Sequence, residues 1–411
     1  MKVTSIAASF VALSAAAFAA NAPTFSKDVA PILYNRCLEC HRPGEAGPMP
    51  LRTYQEARPW AKSIKEAVAK HTMPPWYANT EINHFSNDRH LSAQEISTIT
   101  QWVEAGAPEG KASDLPKEPE FEQGWVIGKP DLILKLPREF KIPAEGVVQY
   151  QYFTIDPGFT EDTWVQAAEV RPTQRAQVHH ILVFAQEGKK RNPRGGEQFS
   201  DMVIGYAPGV PSLTWDQDTA FLVKAGSTLL LQVHYTTNGK EAVDQSMVGL
   251  KIRKDKPKYR AVSGSTVQFR LDIPPGEPNY MTTASYTFRE DTILLDMTPH
   301  MHLRGKAFKY EITYPDGRHE VLLDVPHYDF NWQLAYVLAE PRTVPAGTRI
   351  DTTAWYDNSA NNKYNPDPTK EVHWGDQTFQ EMMIGFFNYK VPVDRPDPPK
   401  IERPTRPGAA Q

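Results

Sequence analysis

KAFKYEITYPDGRHEVLLDV, residues 306–325, alternates strictly in its first half, with Phe308, Tyr310 and Ile312 on one face and Lys309 and Glu311 on the other. Pro315-Asp316-Gly317 then supplies a turn, and EVLLDV begins a second apolar run. The pattern predicts a pair of half-buried strands. Working outward, runs of the same kind fill the chain from Asp131 to about residue 392: LILKL, VVQYQYFTI, HHILVF, TLLLQVHY, MVGLKI, TVQFRLDI, TILLDM and MMIGFFNY, each bounded by Pro, Gly, Asn or Asp. Many short, turn-bounded strands predict β-sandwich packing, and the span exceeds one ordinary sandwich of about 100 residues. The charged stretch KIRKDKPKYR, around Lys256-Pro257, is the natural seam, giving two all-β sandwich units over 131–256 and 257–393.

Upstream the periodicity changes. Val29, Ile32, Leu33 and Arg36 follow a helical stripe from Ser26, and Ala57, Trp60, Ile64 and Val68 form a second. In the third, Ser92 and Glu95 have capping-box spacing, Ile96, Ile99, Trp102 and Val103 share a face, and Gly106 and Pro108 stop the helix. Residues 23–112 are therefore expected to form an all-α domain. Residues 113–130, Pro-rich and charged without periodicity, read as a linker, and 394–411 as a Pro-rich tail. Residues 1–22 have Lys2 ahead of a short apolar stretch and Ala-rich cleavage sites, the pattern of an export signal. A periplasmic protein with no membrane span in its mature form is the expectation.

Composition narrows the partners. The 45 Lys and Arg against 49 Asp and Glu leave no basic excess to neutralise phosphates, which argues against nucleic acid. The two cysteines fall in Cys37-Leu38-Glu39-Cys40-His41. Two thiols at this spacing can form thioethers to both vinyl groups of a haem, and the adjoining imidazole reaches the iron from the same side. Half of a zinc site would need a second cysteine pair, and a redox CxxC leaves His41 unused. Met73, in His71-Thr72-Met73-Pro74-Pro75-Trp76, suits the opposite axial position, with Met49 and His71 as competitors. The segment Phe25 to Gly110 resembles a class I cytochrome c, which implies a six-coordinate electron-transfer haem.

Five of the chain's twelve histidines form an ordered series in the β region: His179-His180, His234, and His300 with His302. Met382 follows. His300 and His302 project from one strand face and can share one metal. Adjacent residues face opposite ways in a regular strand, so His179 and His180 can share an ion only at a strand end or bulge, or through different ring nitrogens. Imidazoles suit either oxidation state of copper, and an added thioether favours Cu(I).

The series VHHILVF, LQVHY, IPPGE, HMHLRGK and QEMM resembles the copper type II, ascorbate-dependent monooxygenases, which include peptidylglycine α-hydroxylating and dopamine β-monooxygenases. The resemblance covers residues 131 to 392. It implies two jelly rolls with a solvent-filled cleft between them. One electron-transfer copper would be held by His179, His180 and His234, and one oxygen-binding copper by His300, His302 and Met382, the last three being the catalytic set. Met383 competes with Met382, and Gln232 matches a family position near the electron-transfer site. The peptide enzyme binds its substrate's carboxylate through an Arg and a Tyr at places that are Thr298 and Phe386 here, so a C-terminal glycine peptide is not the expected substrate, and Phe386 suggests a more apolar one.

The expectation is a periplasmic oxidoreductase that hydroxylates a C–H bond of a small organic substrate with dioxygen. Electrons would pass from a periplasmic donor through a covalent haem c to two unequal copper ions. The alternative is a non-catalytic haem-copper electron carrier or copper-binding protein.

Overall fold

A computed structural model describes residues 22–45, 47–121, 124–187, 202–207 and 212–394. The expected export signal, apart from residue 22, and the tail beyond Asp394 lie outside the described residues.

An all-α cytochrome c domain followed by two separate all-β jelly rolls is not the fold observed, and the expectation is corrected here. The molecule is mostly β-sandwich. Helix among the described N-terminal residues is confined to short pieces: a π-turn at Phe25–Val29 running into Ala30–Arg36, a four-residue helix at Tyr54–Ala57, Ala61–Ala69, Ala93–Glu104, and 3-10 turns at Arg58–Trp60 and Ala112–Asp114. The Ser92–Glu95 capping box is present, and a second, between Thr53 and Glu56, starts the four-residue helix. Trp60, placed on a core stripe by periodicity, is instead 44% exposed.

These helices bury a small cluster around Leu33, Leu38, Ile99 and Trp102. The loop after Lys70, however, leaves it and packs onto the sheets. Trp76, Ala78 and Phe85 belong to the core of the C-terminal strands, where the Trp76 and Phe85 rings pack edge-on against Tyr336 at 5.0 and 5.6 Å. Phe85 forms a β-bridge with Leu338, and Asn87 donates to the Ala335 carbonyl at 2.7 Å. Two buried aromatic rings are worth roughly 1.5–3 kcal/mol each, enough to fasten this loop. The N-terminal segment is therefore a helical cap continuous with the β structure. Helical periodicity could not reveal this, because the residues that fasten the cap lie in an aperiodic loop.

The β region has two apolar cores, one lined by Val165, Ile181, Leu231 and Val248, the other by Phe308, Tyr310, Ile350 and Phe387. Each is closed on one side by its own four-stranded antiparallel sheet. The opposite side is a single nine-stranded sheet to which both halves contribute. The seam at Lys256-Pro257 is bridged there: Tyr259–Ala261 pairs in parallel with Thr219–Phe221 on one side, while the whole Tyr259–Val267 strand pairs antiparallel with Ile384–Pro392 on the other. The 113–130 stretch also packs down, with Trp125 against Gly249 and Phe121 beneath the Arg42 guanidinium at 4.0 Å. Among the described residues no helix is long and apolar enough to cross a membrane.

Candidate metal centre

The Val178–Gln186 strand pairs with Thr228–Tyr235 through Val178↔Tyr235 and His180↔His234, leaving His179 as the extra residue of a bulge. The bulge turns two adjacent imidazoles toward one point. Ligand atoms of His179, His180 and His234 all lie within 4.8 Å of one another, and all three residues are buried. The Nδ1 atoms of His179 and His180 are 3.2 Å apart. Two nitrogens on one tetrahedral ion, each about 2.0–2.1 Å from it, are separated by roughly this distance. Burial, reinforced by the neighbouring imidazoles, pushes His179 down to about 4 and holds His180 and His234 far below their ordinary value. All three are neutral at pH 7 and offer lone pairs. His179 Nε2 and His234 Nδ1 have no hydrogen-bond partner although buried, which suits a donor set awaiting an ion.

The second set stands on the Thr292–His300 strand and the turn after it. His300 Nδ1 lies 2.7 Å from Gln333 Oε1, an acceptor that fixes the proton on Nδ1 and leaves Nε2 free to ligate. His302 Nδ1 faces the Gln380 carbonyl at 3.2 Å, and its Nε2 is buried without a partner. Burial lowers His300 to about 4 and His302 to about 3. The strand pairs with Ile384–Pro392 through Thr298↔Phe386 and His300↔Ile384. His302 and Met382 each lie two residues beyond the end of that pairing. Met382 packs with Ile384 and Phe386 on the face where the Phe386 and His300 rings are 6.0 Å apart, whereas Met383 is fully buried in the C-terminal core. Of the two thioethers, Met382 shares the imidazole side of the sheet.

The two sets are closer than a solvent-filled separation implies. The His180 and His300 rings are 6.3 Å apart, and Phe330 lies between the sets, stacked on His179 at 4.6 Å and 6.1 Å from the His302 ring. Beside them opens a cleft of about 1180 Å³, lined by His180, Tyr206, Asp296, Thr298, His300 and Phe386, and also by Cys40 and Glu45 of the helical segment. Glu45 ties that segment to the β region through an Arg175 ion pair at 2.6 Å, four residues before His179.

Cys37 and Cys40 are free thiols on the turn that ends the first helix, where the Cys40 and His41 amides both donate to the Cys37 carbonyl. Burial pushes the Cys37 thiol up to about 12 and raises Cys40 as well, so neither is a thiolate suited to disulfide exchange at pH 7. His41 Nδ1 lies 3.0 Å from the Met49 carbonyl, leaving Nε2 as the lone-pair nitrogen an iron would use. Gly47 is required beside it, since a Cβ there would sit 2.8 Å from the His41 ring nitrogen. Met49 packs with Cys37 on the helical cluster, while Met73 is half-buried on the loop leaving the Ala61–Ala69 helix, beyond the exposed His71. Gln232 donates to the Tyr152 hydroxyl at 3.0 Å.

Several residues that shape the site carried no visible signal in the sequence. Gln333 and Phe330 come from an irregular loop. Tyr150, whose ring is 4.7 Å from His234 and whose buried hydroxyl has no partner, precedes its strand. Glu381 accepts the His302 and Arg304 amides at 2.8 and 2.7 Å and is pushed up to about 8 by burial. Arg304, also buried, donates to Asn358 Oδ1 and the Phe379 carbonyl, tying the turn after His302 to the Trp355–Pro368 segment.

No family model and no curated protein sequence matches the chain. Among solved structures it is similar to the major capsid protein P2 of bacteriophage PM2, at TM-score 0.28 and 10% identity over 64% of this chain and 99% of that one. Infectious bursal disease virus Gx strain gives TM-score 0.20 and 8% identity, over 65% and 73% of the two chains. An allantoicase gives TM-score 0.17 and 9% identity, over 53% and 81%. Likenesses at this level carry no functional inference.

Proposed function

We propose that the chain is a periplasmic haem-copper monooxygenase of the copper type II kind. It would insert one atom of dioxygen into a C–H bond of a small organic substrate and release the other as water, consuming two electrons and two protons. One observation carries the reading: five neutral buried imidazoles, from strands far apart in sequence, come together, and two of them, His180 and His300, line a cleft that Cys40 of the CxxCH motif also lines.

His179, His180 and His234 would hold one copper, His300, His302 and Met382 the other, and Cys37, Cys40 and His41 a covalent haem. When bound, the coppers supply one-electron storage and dioxygen activation, and the haem supplies a path for electrons from a periplasmic donor. The chain's own residues do the rest. Gln333 and the Gln380 carbonyl hold protons on the Nδ1 atoms of His300 and His302, orienting both rings. Phe330 and Phe386 keep the region between the sets apolar and limit water there. The Glu45–Arg175 pair keeps the CxxCH turn against the copper-binding strands. Met73 remains the candidate second haem ligand. Met49, whose carbonyl meets His41 Nδ1 at 3.0 Å, and His71 would be its competitors.

Stopped-flow reduction of the haem in copper-loaded protein, followed by exposure to oxygen with a panel of small aromatic and aliphatic compounds, tests this. Haem reoxidation that accelerates with copper, and oxygen uptake that depends on substrate, are expected. Copper and haem binding without oxygen uptake would make the protein an electron carrier.

A further inference from the structure

The edge of the nine-stranded sheet is finished by the N-terminal segment. Tyr336–Val344 is the outer strand there, paired on one side with Thr292–His300. Left bare, its other side would present a row of unpaired amides and carbonyls. Residues 84–87 cover it instead: Ser86 N donates to the Val337 carbonyl at 2.9 Å, Ala339 N donates to the His84 carbonyl at 3.0 Å, and Phe85 bridges Leu338.

Asn87 continues this pairing with its side chain. Its Nδ2 donates to the Ala335 carbonyl at 2.7 Å, and its Oδ1 accepts from Val337 N at 3.1 Å. A primary amide offers a donor and an acceptor in one fork, whereas a carboxylate in the same place could only accept. The fork therefore grips the chain on both sides of Tyr336, where the strand begins.

The consequence lies two residues upstream of Ala335. Gln333 Oε1 is 2.7 Å from His300 Nδ1, while its own Nε2 has the Phe330 carbonyl at 3.4 Å. Residues 332–335 belong to no helix or strand, so the place of Gln333 depends on its neighbours. One is Leu334, 4% exposed in the C-terminal core, and the other is Ala335, whose carbonyl Asn87 holds. Hydrogen bonds weaken steeply as they lengthen or bend. A small drift of Ala335 toward solvent would thus be felt at the His300 ring. Arg89, two residues after Asn87, meets Glu39 inside the CxxCH motif at 3.1 Å.

We propose that Asn87 positions His300, acting through Ala335 and Gln333, so that the N-terminal segment completes the second donor set as well as carrying the CxxCH motif. The proposal rests on the copper reading only in calling the ion that His300 holds copper.

The test uses full-length, haem-loaded protein. Asn87→Asp keeps the acceptor for Val337 N and loses the donor to Ala335, and Asn87→Ser loses the fork. In competitive Cu(I) titration each should weaken the phase assigned to His300, His302 and Met382 about tenfold, and leave that of His179, His180 and His234 unchanged. In a Gln333→Leu background neither should add anything, because the residue through which Asn87 acts is already gone. Before copper is added and with the haem reduced, long-range proton–nitrogen correlation spectra of histidine-labelled protein read the tautomer. His300 should hold its proton on Nδ1 in the parent and become a mixture of tautomers in Asn87→Asp. A tenfold loss on top of Gln333→Leu, a shift of both copper phases, or an unchanged His300 tautomer would overturn the proposal. Protein that takes up no copper yet shows the tautomer change would sink the copper reading alone.

Discussion

Replacing Gln333 by Leu removes the acceptor that fixes the His300 tautomer while keeping the side chain's approximate volume. The contact is 2.7 Å long and His300 lies in a buried setting, so the imidazole proton has no water to fall back on. Outer-shell partners of this kind change metal affinity by about 10–100-fold, equivalent to about 1.4–2.8 kcal/mol. Only an ion held by His300, His302 and Met382 should feel it, because among the described residues Gln333 meets the His300 ring and not His179, His180 or His234. Competitive Cu(I) titration against a coloured chelator resolves the two sites as two phases. Gln333→Leu should move the one assigned to His300 by one to two orders of magnitude, and Gln333→Glu, which keeps an acceptor, should restore it. If both phases keep their affinities in Gln333→Leu, or both move together, the assignment of two independent donor sets is wrong.

Three further outcomes follow from the geometry. Burial lifts Asp296 to about 6, above the usual unfolded value of about 3.9, so the folded state holds this proton more tightly than the unfolded one. Stability from this group is therefore greatest at low pH and falls as pH rises from about 4 to about 6, by on the order of 3 kcal/mol. Asp296→Asn should be more stable than the parent in urea unfolding at pH 7.5, with the gain vanishing near pH 4; an equal gain at both pH values would contradict the burial argument. Glu45→Gln weakens the 2.6 Å tie between the CxxCH turn and Arg175 and should slow copper-dependent reoxidation of the haem in stopped flow while leaving copper stoichiometry unchanged. Phe85→Ala vacates a buried ring packed on Tyr336 and should cost about 3–5 kcal/mol in unfolding free energy, where an exposed loop would lose almost nothing.

Much of the β region was legible because its strands alternate. Phe308, Tyr310 and Ile312 point into a core as their spacing requires, and the Ser92–Glu95 cap starts its helix where the residues say. The condition placed on His179-His180, that sharing an ion demands a bulge, was a local statement, and the strand pairing supplies the bulge; His302 lies past the end of its strand, its ring 5.3 Å from that of His300. What could not be read was long-range. Nothing in Trp76 or Phe85 says that they pack on Tyr336 rather than on the helices beside them, and that choice removes the separate helical domain. Strand order is equally silent in the residues, so the joining of Tyr259–Ala261 to Thr219–Phe221 into one sheet was hidden by the charged seam just before it. Phe330, Gln333 and Asp296 are ordinary residues until the fold sets them beside imidazoles or along one cleft wall.

The central claim is that imidazoles from three strand regions, with the Met382 thioether, form two distinct copper sites next to a tethered haem. Anomalous diffraction at the copper and iron edges, from crystals of protein purified from an exporting host supplied with copper, tests it most directly. The account predicts two copper peaks, one among His179, His180 and His234 and one beside His300, His302 and Met382, with a single iron peak at His41. Absence of copper at either set, or iron anywhere but beside His41, would contradict it.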